Sequence, residues 1–137
     1  MLRPVFVYLL TLLTFLALDA LWLGLVAKSF YKRHLGHLMT PDINWTAALL
    51  FYLLYITAVL VFVTAPAVRS GSPARAWLLG AFLGLVAYAT YDLTNLATLK
   101  DWPVVVTIVD LVWGAAITSA TSGASFLIAR WIGWRLN

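Results

Sequence analysis

Between Tyr88 and Gly114 the chain reads YATYDLTNLATLKDWPVVVTIVDLVWG, two apolar arms joined by a charged reversal. Each arm carries an aspartate, Asp92 and Asp110, with Tyr88, Tyr91, Asn95, Thr98 and Trp113 beside them. Both arms belong to longer apolar runs, residues 76–99 and 103–129, long enough to cross a bilayer as helices, where every backbone polar group must be satisfied within the chain. A carboxylate at the centre of such a helix costs at least about 2.5–3.5 kcal/mol. The fold must therefore bring both acids to something that compensates them. Asp19, inside an earlier apolar run, belongs to the same set.

The same character runs through all 137 residues, of which 64% are hydrophobic and 10% charged, with a mean hydropathy of +0.95. A soluble domain has about 45–50% apolar and roughly 25% charged residues. Too little polar surface is left here for water, so the chain reads as an integral membrane protein. At about 20 residues per crossing it divides into spans at residues 5–27, 45–65, 76–99 and 103–129, forming a single transmembrane domain. The first apolar run exceeds the roughly 7–15 residues of a signal-peptide core and no small-x-small site follows it, so it is read as a retained span.

Residues 28–44 form the one long connection. Phe30, Leu35, Leu38 and Met39 recur there opposite Lys32 and Arg33, the pattern of a short interfacial helix. Thr40, Pro41 and Asp42 are expected to end it and cap the next span. Pro66 and the segment RSGSPAR are expected to close span 2. Gly80 and Gly84 make a GxxxG pair in span 3, and span 4 carries small-residue rows through Gly114, Thr118 and Ser122 and through Ala115, Ser119 and Gly123. The fold predicted is an all-α, four-helix transmembrane bundle with a short interfacial helix between spans 1 and 2.

Formal charge is +4 and the pI about 9.7. The basic residues are scattered among the connections, where they meet lipid headgroups; membrane lipid is the expected partner and nucleic acid is not. Cysteine is absent, which removes disulfides and thiolate metal sites.

Counting inward from the charged ends places the acids. Asp19 lies nine residues before Lys28, Asp92 eight before Lys100 and Asp110 nine after Asp101, each roughly 12–14 Å below one membrane face. The expectation is one acidic layer, with Trp22 and Asn95 on its near side and Tyr88 and Trp113 on its far side. Ionised carboxylates this close cannot coexist unpaired. Either they titrate as a coupled set or a cation or proton relay occupies the site. The plainer account has neutral aspartates hydrogen-bonding indoles and Asn95 as glue between helices. Spans 1, 3 and 4 are expected to form the polar core, with span 2 peripheral. The candidate ligand-binding residues are Asp19, Trp22, Tyr88, Asp92, Asn95, Asp110 and Trp113. His34 and His37 sit at i, i+3 in the connection, but two imidazoles need further ligands to hold a metal, and no metal site or catalytic residue is assigned.

The segments LDALWLG, FYKRHLGHLM, YDLTNLATLKDWP and VDLVWG, in that order in one short four-span chain, resemble the bacterial membrane family known as domain of unknown function 2177. The resemblance implies a bacterial inner-membrane protein and brings no activity, cofactor or catalytic residue. Architecture alone is similar to the small multidrug transporters, whose intramembrane acid is a glutamate in the first span; this chain has no glutamate.

Three functions compete. One is an acidic, aromatic-walled site that binds or transports a proton, a cation or a small polar ligand. The second is an accessory subunit packed against a membrane-protein partner or further copies of itself. A lipid-modifying enzyme using an aspartate as acid or base ranks last. Arg3, Arg69, Arg75, Arg130 and Arg135 share one side, against Lys28, Lys32, Arg33 and Lys100 on the other, which favours cytoplasmic termini.

Overall fold

The computed structural model describes residues 2–136. Four helices long and apolar enough to cross a membrane run Leu2–Val26, Trp45–Ser70, Pro73–Thr98 and Val104–Ile132, and serve below as spans 1 to 4. The chain is 87% helical, with no strand among the described residues, and it forms the all-α membrane bundle expected. A short helix, Lys28–Leu35, follows span 1 and tightens into a 3₁₀ turn at Gly36–Leu38.

Two boundaries differ from the sequence reading, each for a local reason. Pro66 does not end span 2; the helix continues to Ser70, with a π-helical turn at Leu60–Thr64 just before the proline. Pro66 has no N–H to give the carbonyl four residues back, and in a membrane helix such a break is absorbed by a local π adjustment. Gly71, at φ 64°, then reverses the chain. Ser72 caps span 3, its hydroxyl accepting from Arg75 N–H at 3.2 Å, with Pro73 in the first turn. At the start of span 2 the cap is Asn44, which accepts from Ala47 N–H at 3.0 Å, rather than Thr40-Pro41-Asp42.

Span 4 is the central pillar and touches all three others. Its seam with span 3 is the closest in the bundle. A Cβ on Gly80 would lie 2.6 Å from Ser122 Oγ, and one on Gly84 would meet the Gly114 carbonyl and Thr118 Oγ1. Gly114 in turn lies under the Tyr88 ring, and Gly123 under the indole of Trp77. The small-residue rows of span 4 are thus consumed inside this chain. Phe15, Tyr55, Ile56, Val59 and Ile117 from spans 1, 2 and 4 form the main core. Span 2 is not peripheral, as its position in that core shows.

Spans 2 and 3 make their main contacts through residues 60–70 of span 2 rather than through its Trp45–Val59 half. Their other halves are left to enclose a cleft.

Candidate functional site

The glycine seam sets the site. Because Gly84 and Gly114 let the backbones of spans 3 and 4 touch, Asp92 and Asp110, one on each helix, face one another further along it. Asp92 is completely enclosed, at 0% exposure, and Asp110 is buried. The carboxyl oxygens of Asp92 meet no donor other than the facing carboxyl of Asp110. A buried polar group without a partner forfeits about 1–3 kcal/mol, and a charged one more.

Asp110 is held from the membrane face. Tyr31, in the Lys28–Leu35 helix, donates its hydroxyl to the Asp110 carboxylate. The same hydroxyl accepts from Trp22 Nε1 at 3.3 Å. Trp22 stacks on Trp113, ring centroids 4.3 Å apart and planes 10° from parallel. Burial, followed by the hydrogen bond to Asp110, pushes the Tyr31 hydroxyl above its ordinary value of 10.0. It therefore stays a neutral donor throughout the physiological range.

Asp19 belongs to a separate level. It accepts from Tyr52 on span 2 at 2.7 Å. Trp113 lies beside it. The Trp22–Trp113 stack corrects the single-layer expectation. With those two residues level, Asp19 sits three residues deeper on span 1 and Asp110 three residues nearer the face on antiparallel span 4. Six residues separate them, roughly 9 Å along the axis. The hydrogen bond of Thr11 to Ser125, at 2.8 Å, fixes the same register lower down. Counting inward from Lys28 failed because span 1 ends at Val26 beside the acids, and the chain then folds over the bundle end. Trp22 and Trp113 are accordingly one stacked pair, not a lid and a floor.

Tyr88 lies between the two levels, near both Asp19 and Asp110. Asn95 is half-buried beside Tyr91 and bonds none of the three aspartates. Of the seven candidates, then, Asp92 and Asp110 form a pair and Trp22, Trp113 and Tyr88 pack around it. Asp19 sits deeper, and Asn95 lies beside Tyr91, bonding none of the aspartates.

The pair backs onto a cleft of about 420 Å³. Phe51 and Tyr55 from span 2 form one wall; Ala87, Tyr88 and Tyr91 from span 3 form the other. The residues that the sequence reading missed are Tyr31, Tyr52 and Tyr55. The last two did leave a signal, since an i, i+3 pair of tyrosines puts two hydroxyls on one face of an otherwise apolar span. Tyr31 left none, because its contact depends on how the connection folds back.

Below the acids, hydroxyls continue along span 4. Tyr55 bonds Thr118 at 2.7 Å, and Ser125 accepts from Thr11 and from Thr64 at 2.8 and 2.9 Å. These bonds tie three helices together in the way expected of intramembrane glue. His34 is engaged locally, its Nδ1 2.9 Å from the Phe30 carbonyl. Among the described residues no three His, Asp, Glu or Cys side chains are grouped closely enough to hold a metal ion.

Residues 4–127 match the family described as "Predicted membrane protein (DUF2177)". No curated protein and no solved structure matches the chain.

Proposed function

The chain belongs to the DUF2177 family of predicted membrane proteins, and from that premise we propose that Asp92 and Asp110 form an intramembrane site that binds a cation in exchange for a proton. The observation that carries this reading is the state of Asp92, fully enclosed, with a second carboxyl as the one group its oxygens meet. A carboxyl serving as glue is hydrogen-bonded across helices, as Asp19 is to Tyr52. Asp92 has only another carboxyl to meet, and two carboxyls can be joined only by a shared proton or a cation. Tyr31 and Trp22 orient Asp110 from the membrane face, while the aromatic walls supply π faces to a bound cation.

The accessory-subunit reading draws no support from the small-residue rows of span 4, which pack against span 3 of the same chain. An enzymatic role is not favoured. The protein is proposed to reside in a bacterial inner membrane with both termini cytoplasmic, which puts the Tyr31 helix on the outer face.

Replacing Asp92 tests the site. In Asp92→Asn the amide fits the same volume, so the protein is expected to purify folded. Wild-type melting temperature should vary between about pH 5 and 8, and the substitution should shift that profile. Identical flat profiles for both proteins would leave Asp92 a structural residue only.

A further inference from the structure

We infer that the ligand of this site is an organic cation with an apolar body, such as an alkyl or aryl ammonium, and that it enters from the bilayer between spans 2 and 3. The inference rests on the cation-binding reading above and names the chemistry of the ligand.

The donor set comes first. A hard inorganic cation such as Ca²⁺ needs about six to eight oxygen ligands. The cleft offers two carboxyls, with Phe51, Tyr55, Tyr88 and Tyr91 as the rest of its boundary. An inorganic ion would have to keep most of its water among aromatic rings. An organic cation brings its own apolar surface and needs only a counter-charge at one end and π faces around it. Size points the same way. A volume of about 420 Å³ falls in the roughly 300–1,000 Å³ range of small-molecule sites, far more than a proton or bare metal ion requires.

The route follows from exposure. Phe51 and Tyr91, at the mouth, are 46% and 60% exposed on the apolar outer face of the bundle, whereas Asp92 at the back is wholly enclosed. The cleft thus runs from the lipid-facing surface to a back wall that Asp110 and the enclosed Asp92 help to form. Spans 2 and 3 leave it open because their main contacts lie near the Gly71 reversal. At the aqueous end Tyr31 is bonded to Asp110, and the Trp22–Trp113 stack closes the neighbouring gap. Asp92 lies six residues inside the end of span 3, roughly 9 Å along the axis. That is close to the depth at which amphiphiles settle between headgroups and acyl chains.

The test uses the full chain in lipid nanodiscs and tetraphenylphosphonium as the probe, with neutral triphenylphosphine oxide and hydrophilic tetramethylammonium as comparisons. Wild type should bind tetraphenylphosphonium more tightly as pH rises, releasing a proton, and should bind the two comparisons at least about tenfold more weakly. Asp92→Asn should lose the binding and its pH dependence. Phe51→Ala, which removes one aromatic wall of the cleft, should weaken binding by about tenfold. Its pH-dependent melting should stay unchanged. Absence of tetraphenylphosphonium binding in a wild type whose melting still responds to Asp92→Asn would overturn the ligand class and leave the carboxyl site standing. Equal binding of tetramethylammonium would overturn entry from the bilayer. Loss of both the binding and the Asp92-dependent melting profile would remove the site itself.

Discussion

Tyr31 is the residue on which the near side of the site depends. Its hydroxyl gives Asp110 a donor and gives Trp22 an acceptor, so Tyr31→Phe removes both bonds at once, one of them to a buried carboxyl. A loss of about 1–3 kcal/mol is expected at neutral pH, read as a lower melting temperature in detergent. The pH dependence has a definite sign. Because burial and Asp110 raise the Tyr31 hydroxyl above 10.0, its contribution is fully present below that pH and is lost as pH rises through the higher folded value. Above about pH 10 the wild type should therefore lose stability more steeply than Tyr31→Phe. Parallel profiles for the two proteins between pH 8 and 11 would show that Tyr31 is not held as described.

Among the elements, the seam between spans 3 and 4 decides whether the carboxyls meet. Gly84→Ala places a methyl group against the Gly114 carbonyl and 2.6 Å from Thr118 Oγ1, and the first of these is backbone that cannot turn aside. The helices must separate, at a cost of about 1–3 kcal/mol, and Asp92 moves away from Asp110. Gly24→Ala is the control, since a Cβ there meets nothing within 4 Å and should alter stability by no more than about 0.5 kcal/mol. Thermal melts of the two variants give the comparison; a larger loss for Gly24→Ala would contradict the packing. Span 2 teaches a related lesson. It carries no charge and was expected at the periphery, yet Tyr52 bonds Asp19 and Tyr55 bonds Thr118. A tyrosine can be the bonding partner of a buried carboxylate as well as any charged group, and charge alone did not reveal it.

Across the whole molecule, orientation rests on charge. The side holding Arg3, Arg69, Arg75, Arg130 and Arg135 has no acidic residue, whereas Asp42 and Asp101 lie on the side of Lys28, Lys32, Arg33 and Lys100. The positive-inside count, five basic residues against four, is the basis on which cytoplasmic termini are proposed. Single cysteines at Gly36 and Ser72 read this directly in a chain that has none of its own. A membrane-impermeant thiol reagent added from outside should modify Gly36→Cys and spare Ser72→Cys; the reverse pattern would invert the molecule and put the Tyr31 helix in the cytoplasm.

The sequence by itself determined the spans, the short helix after span 1 and the burial of Asp92 and Asp110, because hydropathy over about 20 residues and the cost of a carboxylate in lipid are properties of composition and spacing. The meeting of Asp92 with Asp110 was legible as well, since spans 3 and 4 are joined by a short reversal that fixes their register. Span 1 has no such tie to span 4. Its register came from the packing of Trp22 on Trp113 and of Thr11 on Ser125, which set Asp19 about 9 Å deeper than the count from Lys28 allowed. The fold-back that brings Tyr31 to Asp110, and the parting of spans 2 and 3 that opens the cleft, likewise joined residues far apart in the chain. Those relations depend on which surfaces interlock, and only the tertiary structure decided them.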